Sequence, residues 1–139
     1  DPSNLLKNVM TMYDGCMTKI AIIEDDAVIN QMYRMKFEAA GFDVSTASDG
    51  EAGVEMVKKT KPDIVLLDLQ MPRMDGPTAL ATMRKNPWGK EVPVIILTNL
   101  GAEEAPKELR DLQIHSYIVK AELTPSQVVA RVKDALNIK

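Results

Sequence analysis

An α/β fold with a mostly parallel sheet is predicted by three features of this 139-residue chain. Five short packets read as strands, and four of them are dominated by continuous or nearly continuous apolar residues, as strands buried on both faces are. Segments with helical spacing separate them, and strand–helix alternation of this kind closes through right-handed crossovers into a sheet covered by helices on both faces. The chain length also suits one domain that buries a full core without disulfide support.

The strands are expected at Ile20–Ile23, Phe42–Thr46, Ile64–Leu67, Val94–Leu97 and Ile114–Val119. The first helix runs from Asp26 to Ala40, with Ile29, Met32, Tyr33, Phe37 and Ala40 on one face and Gly41 at its end. A second starts at Asp49, turns Val54 and Val57 inward, and closes at Lys61 and Pro62. Pro77 opens a third, which runs through Met83 and ends before AsnProTrpGly at 86–89. The fourth is expected from Glu103, with Pro106 in its first turn and Leu109 and Leu112 as its buried stripe. The fifth begins at Thr124, with Pro125 first and Gln127 third, and buries Val128, Val129, Val132, Ala135 and Leu136. Residues 1–17 stand outside the pattern as an N-terminal extension or remnant, in which Leu5, Leu6, Val9, Met10 and Tyr13 could line a short helix; residues 18–139 form the domain.

Composition narrows the function. Lys and Arg number 17 against 20 Asp and Glu, a net charge of −3 that speaks against direct nucleic-acid binding through this chain. The single cysteine, Cys16, closes no internal disulfide, and with nine methionines it points to the cytoplasm. No apolar run approaches the roughly twenty residues of a membrane span, and no secretory leader is visible.

Ligands of open α/β sheets bind at the carboxyl ends of the strands, and acids collect there. The first strand runs into Glu24, Asp25 and Asp26, and the third ends on Asp68; the fourth ends on Thr98 and the fifth on Lys120. Asp26 reads as a helix cap. If the first and third strands are neighbours, Glu24, Asp25 and Asp68 repel unless a cation lies between them. With no histidine or cysteine in the cluster, oxygen-only ligation favours Mg²⁺ over zinc. Lys120 and Thr98 then supply a positive charge and a hydroxyl for a phosphoryl group, which Asp68 can attack to form an aspartyl phosphate.

These residues lie in IleAlaIleIleGluAspAsp, IleValLeuLeuAspLeuGlnMetProArgMetAspGly, ProValIleIleLeuThr and SerTyrIleValLys, and in that order they resemble the signatures of the response regulator receiver domain of two-component signalling systems. The resemblance covers about residues 18–138. It implies the flavodoxin-like receiver fold, a five-stranded parallel sheet of order 2-1-3-4-5 with helices on both faces. Asp68 is then the phosphoacceptor, Asp25 a direct Mg²⁺ ligand, Glu24 a ligand partly through water, and the Gln70 backbone carbonyl a further ligand. Lys120 pairs with phosphoryl oxygens, Thr98 swings in to bond one of them, and Tyr117 is the switch aromatic. Met71, Pro72, Asp75 and Gly76 shape the loop after the acceptor.

The implied donor is a phosphohistidine on a histidine kinase or histidine phosphotransfer protein. A downstream protein reads the fourth helix, fifth strand and fifth helix, and the domain is monomeric or weakly dimeric. His115, the only histidine, leaves the chain without a histidine-kinase relay of its own.

The chain departs from the family at three positions. Ala121 follows Lys120 where a cis proline is usual, Asn99 replaces a small residue and is expected to crowd the phosphoryl site, and Gly53 replaces an alanine and is expected to weaken the second helix. Two other phosphoryl-related folds fit less well: a haloacid-dehalogenase-like phosphatase needs a second aspartate where Gln70 stands, and a flavodoxin needs a phosphate loop after the first strand. A pseudo-receiver that binds partners without phosphorylation is the alternative reading, against which the complete acidic set, Thr98 and Lys120 stand.

Overall fold

The alternation of apolar packets and helical segments produces a single parallel sheet in the computed structural model, which describes residues 17–138. Its strands are β1 (Lys19–Ile23), β2 (Asp43–Ala47), β3 (Ile64–Leu67), β4 (Val94–Thr98) and β5 (Ser116–Val119), in the order β2-β1-β3-β4-β5. Ile23 stands opposite Ala47 on one side and Leu67 on the other, so β1 and β3 end together. Residues 1–16, with the apolar stripe noted above, and Lys139 lie outside the described residues.

Successive strand residues point to opposite faces, and each face has its own core. Ile20, Ile22, Leu66 and Ile95 pack with Tyr33 and Phe37 of α1 (Ala27–Ala39) and Val128 and Val132 of α4 (Pro125–Ala135). Ala21, Ile23, Leu67 and Ile96 pack with Val54 and Val57 of α2 (Gly50–Thr60) and Leu80 and Met83 of α3 (Gly76–Arg84). Burial on both sides is why these strands carry almost no polar residue until they end.

The helices begin where the sequence provides side-chain acceptors. Asp26 accepts from Val28 and Ile29 N–H, Asp49 from Ala52, Asp75 from Thr78, and Thr124 forms a reciprocal capping box with Gln127. Phe42 lies one residue before β2 and folds back into the core, its ring edge-on to Phe37 at 5.2 Å. On the outer side of α1, Val28, Met32 and Met35 are exposed. No helix among the described residues is long and apolar enough to cross a membrane.

The expected fourth α-helix does not form. Two 3₁₀ turns, Ala102–Glu104 and Lys107–Leu112, stand in its place, and neither has a side-chain cap. Pro106 offers no N–H and drives Ala105 out of helical geometry (φ −59°, ψ 135°), so it splits the segment instead of opening it. Leu109 is still buried. Arg84, from α3, pins the far end by donating to the carbonyls of Leu112 (2.8 Å) and Gln113 (3.2 Å).

Ile114 and His115 precede β5, and His115 N–H donates to Val94 O at 2.7 Å. Gly53 has a packing role that helix propensity did not suggest. A Cβ there would lie 2.6–2.9 Å from three side-chain carbons of Ile23, so glycine lets α2 press close to β1.

Candidate functional site

β1 and β3 are hydrogen-bonded neighbours, and the residues that follow them arrive side by side. Asp68 N–H donates to Ile23 O (3.1 Å) and Glu24 N–H to Ala47 O (3.0 Å), extending the ladder one residue beyond the strands. Glu24 and Asp68 are buried, while Asp25 is exposed at the rim. One carboxylate oxygen from each of the three lies within 4.8 Å of the others. Asp26 turns away to cap α1, as expected.

Lys120 enters from the end of β5 and donates from Nζ to Asp68 Oδ2 (3.1 Å) and to Glu24 Oε1. Its side chain is largely buried. The Lys120–Ala121 peptide is trans, so the substitution of the usual proline does not keep this lysine from the acids.

Burial pushes the Glu24 carboxyl up to about 7, against the pull of the Lys120 and Asp26 hydrogen bonds. Burial also works against the Lys120 charge, but the Glu24 hydrogen bond and the charge of Asp68 outweigh it and raise its pKa. The lysine therefore stays charged beside the two acids. Tyr33 lies in the core close to this pair, and burial raises its phenol.

Thr98 and Tyr117 meet at one residue. Thr98 is buried at the end of β4, and its Oγ1 accepts from Leu100 N–H at 3.3 Å. Half-buried Tyr117 donates its hydroxyl to Leu100 O at 2.8 Å. Both candidate switch side chains thus hold the peptide groups of the residue leading into the 3₁₀ segment. That segment and β5 border an open groove of about 520 Å³ lined by Pro106, Leu109, Ile114 and Tyr117. Gln70 is exposed, and its N–H donates to Asp68 Oδ1 at 3.4 Å. Asn99 is exposed, with its side chain outside the hydrogen-bond set of the acids and Lys120.

Two supports escaped sequence reasoning. Asn30 Nδ2 donates to the carbonyls of Glu24 (2.9 Å) and Ala47 (3.2 Å) and braces the ends of β1 and β2. Arg73 pairs with Asp49 across 24 positions. A polar residue on a helix and a loop arginine carry no local signal of such partners.

The donor set suits a small hard cation. It is composed of carboxylate oxygens, with no nitrogen or sulfur ligand, and one member at the rim is open to solvent.

The chain matches the response regulator receiver domain family over residues 20–133. Among curated relatives, the DNA-binding dual master transcriptional regulator RpaA of Synechocystis is 32% identical over 121 residues, covering 87% of this chain and 50% of the relative. The chain spans about half the length of such relatives. Among solved structures, the Vibrio cholerae chemotaxis protein CheY4 superimposes with a TM-score of 0.78 at 25% identity, covering 85% of this chain and 98% of that one. The CheX–CheY–BeF3–Mg²⁺ complex of Borrelia burgdorferi gives a TM-score of 0.77 at 31% identity, covering 89% and 93%.

Proposed function

The chain belongs to the response regulator receiver domain family, and on that premise we propose that Asp68 accepts a phosphoryl group from a phosphohistidine donor in a Mg²⁺-dependent reaction. The observation that carries the proposal is the Asp68 carboxylate at the end of a buried strand, 3.1 Å from Lys120 Nζ and within 4.8 Å of oxygens of Glu24 and Asp25. Its support outside the chain is the Borrelia relative solved with BeF3 and Mg²⁺.

An Asp68 oxygen attacks phosphorus, the P–N bond to the donor imidazole breaks, and the imidazole keeps the electron pair and takes a proton. Hydrolysis later cleaves the P–O bond and returns the carboxylate with inorganic phosphate. Glu24, Asp25, Asp68 and the Gln70 carbonyl would hold the Mg²⁺, which supplies charge neutralisation between the acids and the incoming phosphoryl oxygens. Lys120 exchanges a carboxylate partner for a phosphoryl oxygen. Thr98 gives up Leu100 N–H to bond another, and Tyr117 follows the freed Leu100.

The donor protein is a histidine kinase or histidine phosphotransfer protein, and the reaction runs in the cytoplasm. The surface that a downstream protein reads is formed by the 3₁₀ segment, β5 and α4, which adjoin Leu100 and Tyr117. The domain is the stretch from residue 18 onward, monomeric or weakly dimeric, and makes no contact with nucleic acid itself. RpaA, a relative named as DNA-binding and about twice its length, confines that last statement to this stretch.

The test is incubation with acetyl phosphate with and without Mg²⁺. Wild-type protein should acquire a hydroxylamine-labile phosphoryl group only with the metal, and Asp25→Asn should need far more of it. Equal labelling in the presence of a chelator would overturn the metal assignment.

A further inference from the structure

Arg73 lies in the loop between Asp68 and α3, with its backbone in the left-handed region at φ 63°. That conformation is unfavourable for a residue with a side chain, so something must hold it. From there its guanidinium crosses to the β2–α2 turn and donates from Nε (3.0 Å) and Nη2 (2.8 Å) to Oδ2 of Asp49. Asp49 is buried, and its other oxygen accepts from Ala52 N–H at 2.7 Å. One carboxylate therefore caps α2 and holds Arg73 at the same time.

The loop is packed against its surroundings at two further points. A Cβ on Gly50 would lie 2.0 Å from Met74 O, and one on Gly76 would lie 2.3 Å from Asp68 O. Gly76 N–H donates to Leu69 O at 2.9 Å and closes the loop on itself. Gln70 is in this loop, with its own N–H on Asp68 Oδ1. Arg73 is mostly exposed, and an exposed ion pair adds little to stability. Orientation is a different matter, because groups that only steer metal ligands commonly change metal affinity ten- to a hundredfold.

The geometry points to Arg73 as a positioning residue that, through Asp49, locks the loop carrying Gln70 and so presets its main chain beside the Asp68 carboxylate for the cation. The inference rests on the Mg²⁺ site proposed above. Arg73→Asn keeps a residue that tolerates the left-handed backbone and removes the guanidinium. Titration calorimetry with Mg²⁺ alone should show binding about tenfold weaker than wild type, with a nearly unchanged melting temperature and partial recovery in Arg73→Lys. Asp49→Asn retains an oxygen for the Ala52 cap and should weaken Mg²⁺ binding equally, with no further loss in the double variant.

Wild-type affinity in Arg73→Asn, or additive losses in the double variant, would overturn the positioning role while leaving the metal site standing. Absence of Mg²⁺ binding by the wild type would overturn both.

Discussion

Lys120 holds two buried carboxylates at once, and its removal leaves both Glu24 and Asp68 without that partner. Removing one member of a buried ionic group costs about 3 kcal/mol or more, so Lys120→Met is expected to lower the metal-free unfolding free energy by about 3 kcal/mol. Mg²⁺ should restore much of the loss by replacing the missing positive charge; urea titrations with and without the metal make the comparison. Asp49 gives a pH signature. The Ala52 N–H and then Arg73 hold its carboxyl below the usual carboxylate range. A lowered folded-state pKa contributes stability that is complete above the ordinary value of about 4 and disappears as pH falls through the lowered one. The gap in melting temperature between wild type and Asp49→Asn should therefore be full at neutral pH and close in acid. A gap that does not change with pH would contradict the assignment.

At the level of elements, Gly53 decides between two effects. Alanine would help a helix by roughly 0.5–1 kcal/mol, but its Cβ would lie 2.6–2.9 Å from Ile23, and overpacking of this kind costs about 1–3 kcal/mol. Gly53→Ala is expected to be net destabilising by about 1 kcal/mol. Combining it with Ile23→Val, which removes the crowded Cδ1, should recover part of the loss in chemical denaturation. β1, β3 and β4 were legible from continuous apolar runs, and the four α-helices from a start marker, a capping Asp or Thr or, for α3, Pro77, before an amphipathic stripe. The segment after β4 was not. Leu109 and Leu112 have helical spacing, yet Pro106 and Gly101 occupy positions where a cap would need a side-chain acceptor, and the chain settles into 3₁₀ turns held from outside by Arg84. Glu24, Asp68 and Lys120 could be placed from sequence because each directly follows a strand, and Asp25 because it adjoins Glu24. Asn30 and Arg73 act across turns and loops, where spacing says nothing about partners.

In the whole molecule, the sheet order makes the site. β1 and β3 become neighbours only because β2 lies outside β1, and that arrangement sets Glu24 and Asp25 beside Asp68 while β5 delivers Lys120 from the other side. The link between that site and the surface is short, since Thr98 and Tyr117 both grip Leu100 at the entrance to the 3₁₀ segment. Family membership and this geometry together converge on one chemical event. The most direct measurement is the intact mass of wild type and Asp68→Asn after incubation with Mg²⁺ and acetyl phosphate. Wild type is expected to gain one phosphoryl group and the variant none. An unmodified wild type, or an equal gain in Asp68→Asn, would contradict this.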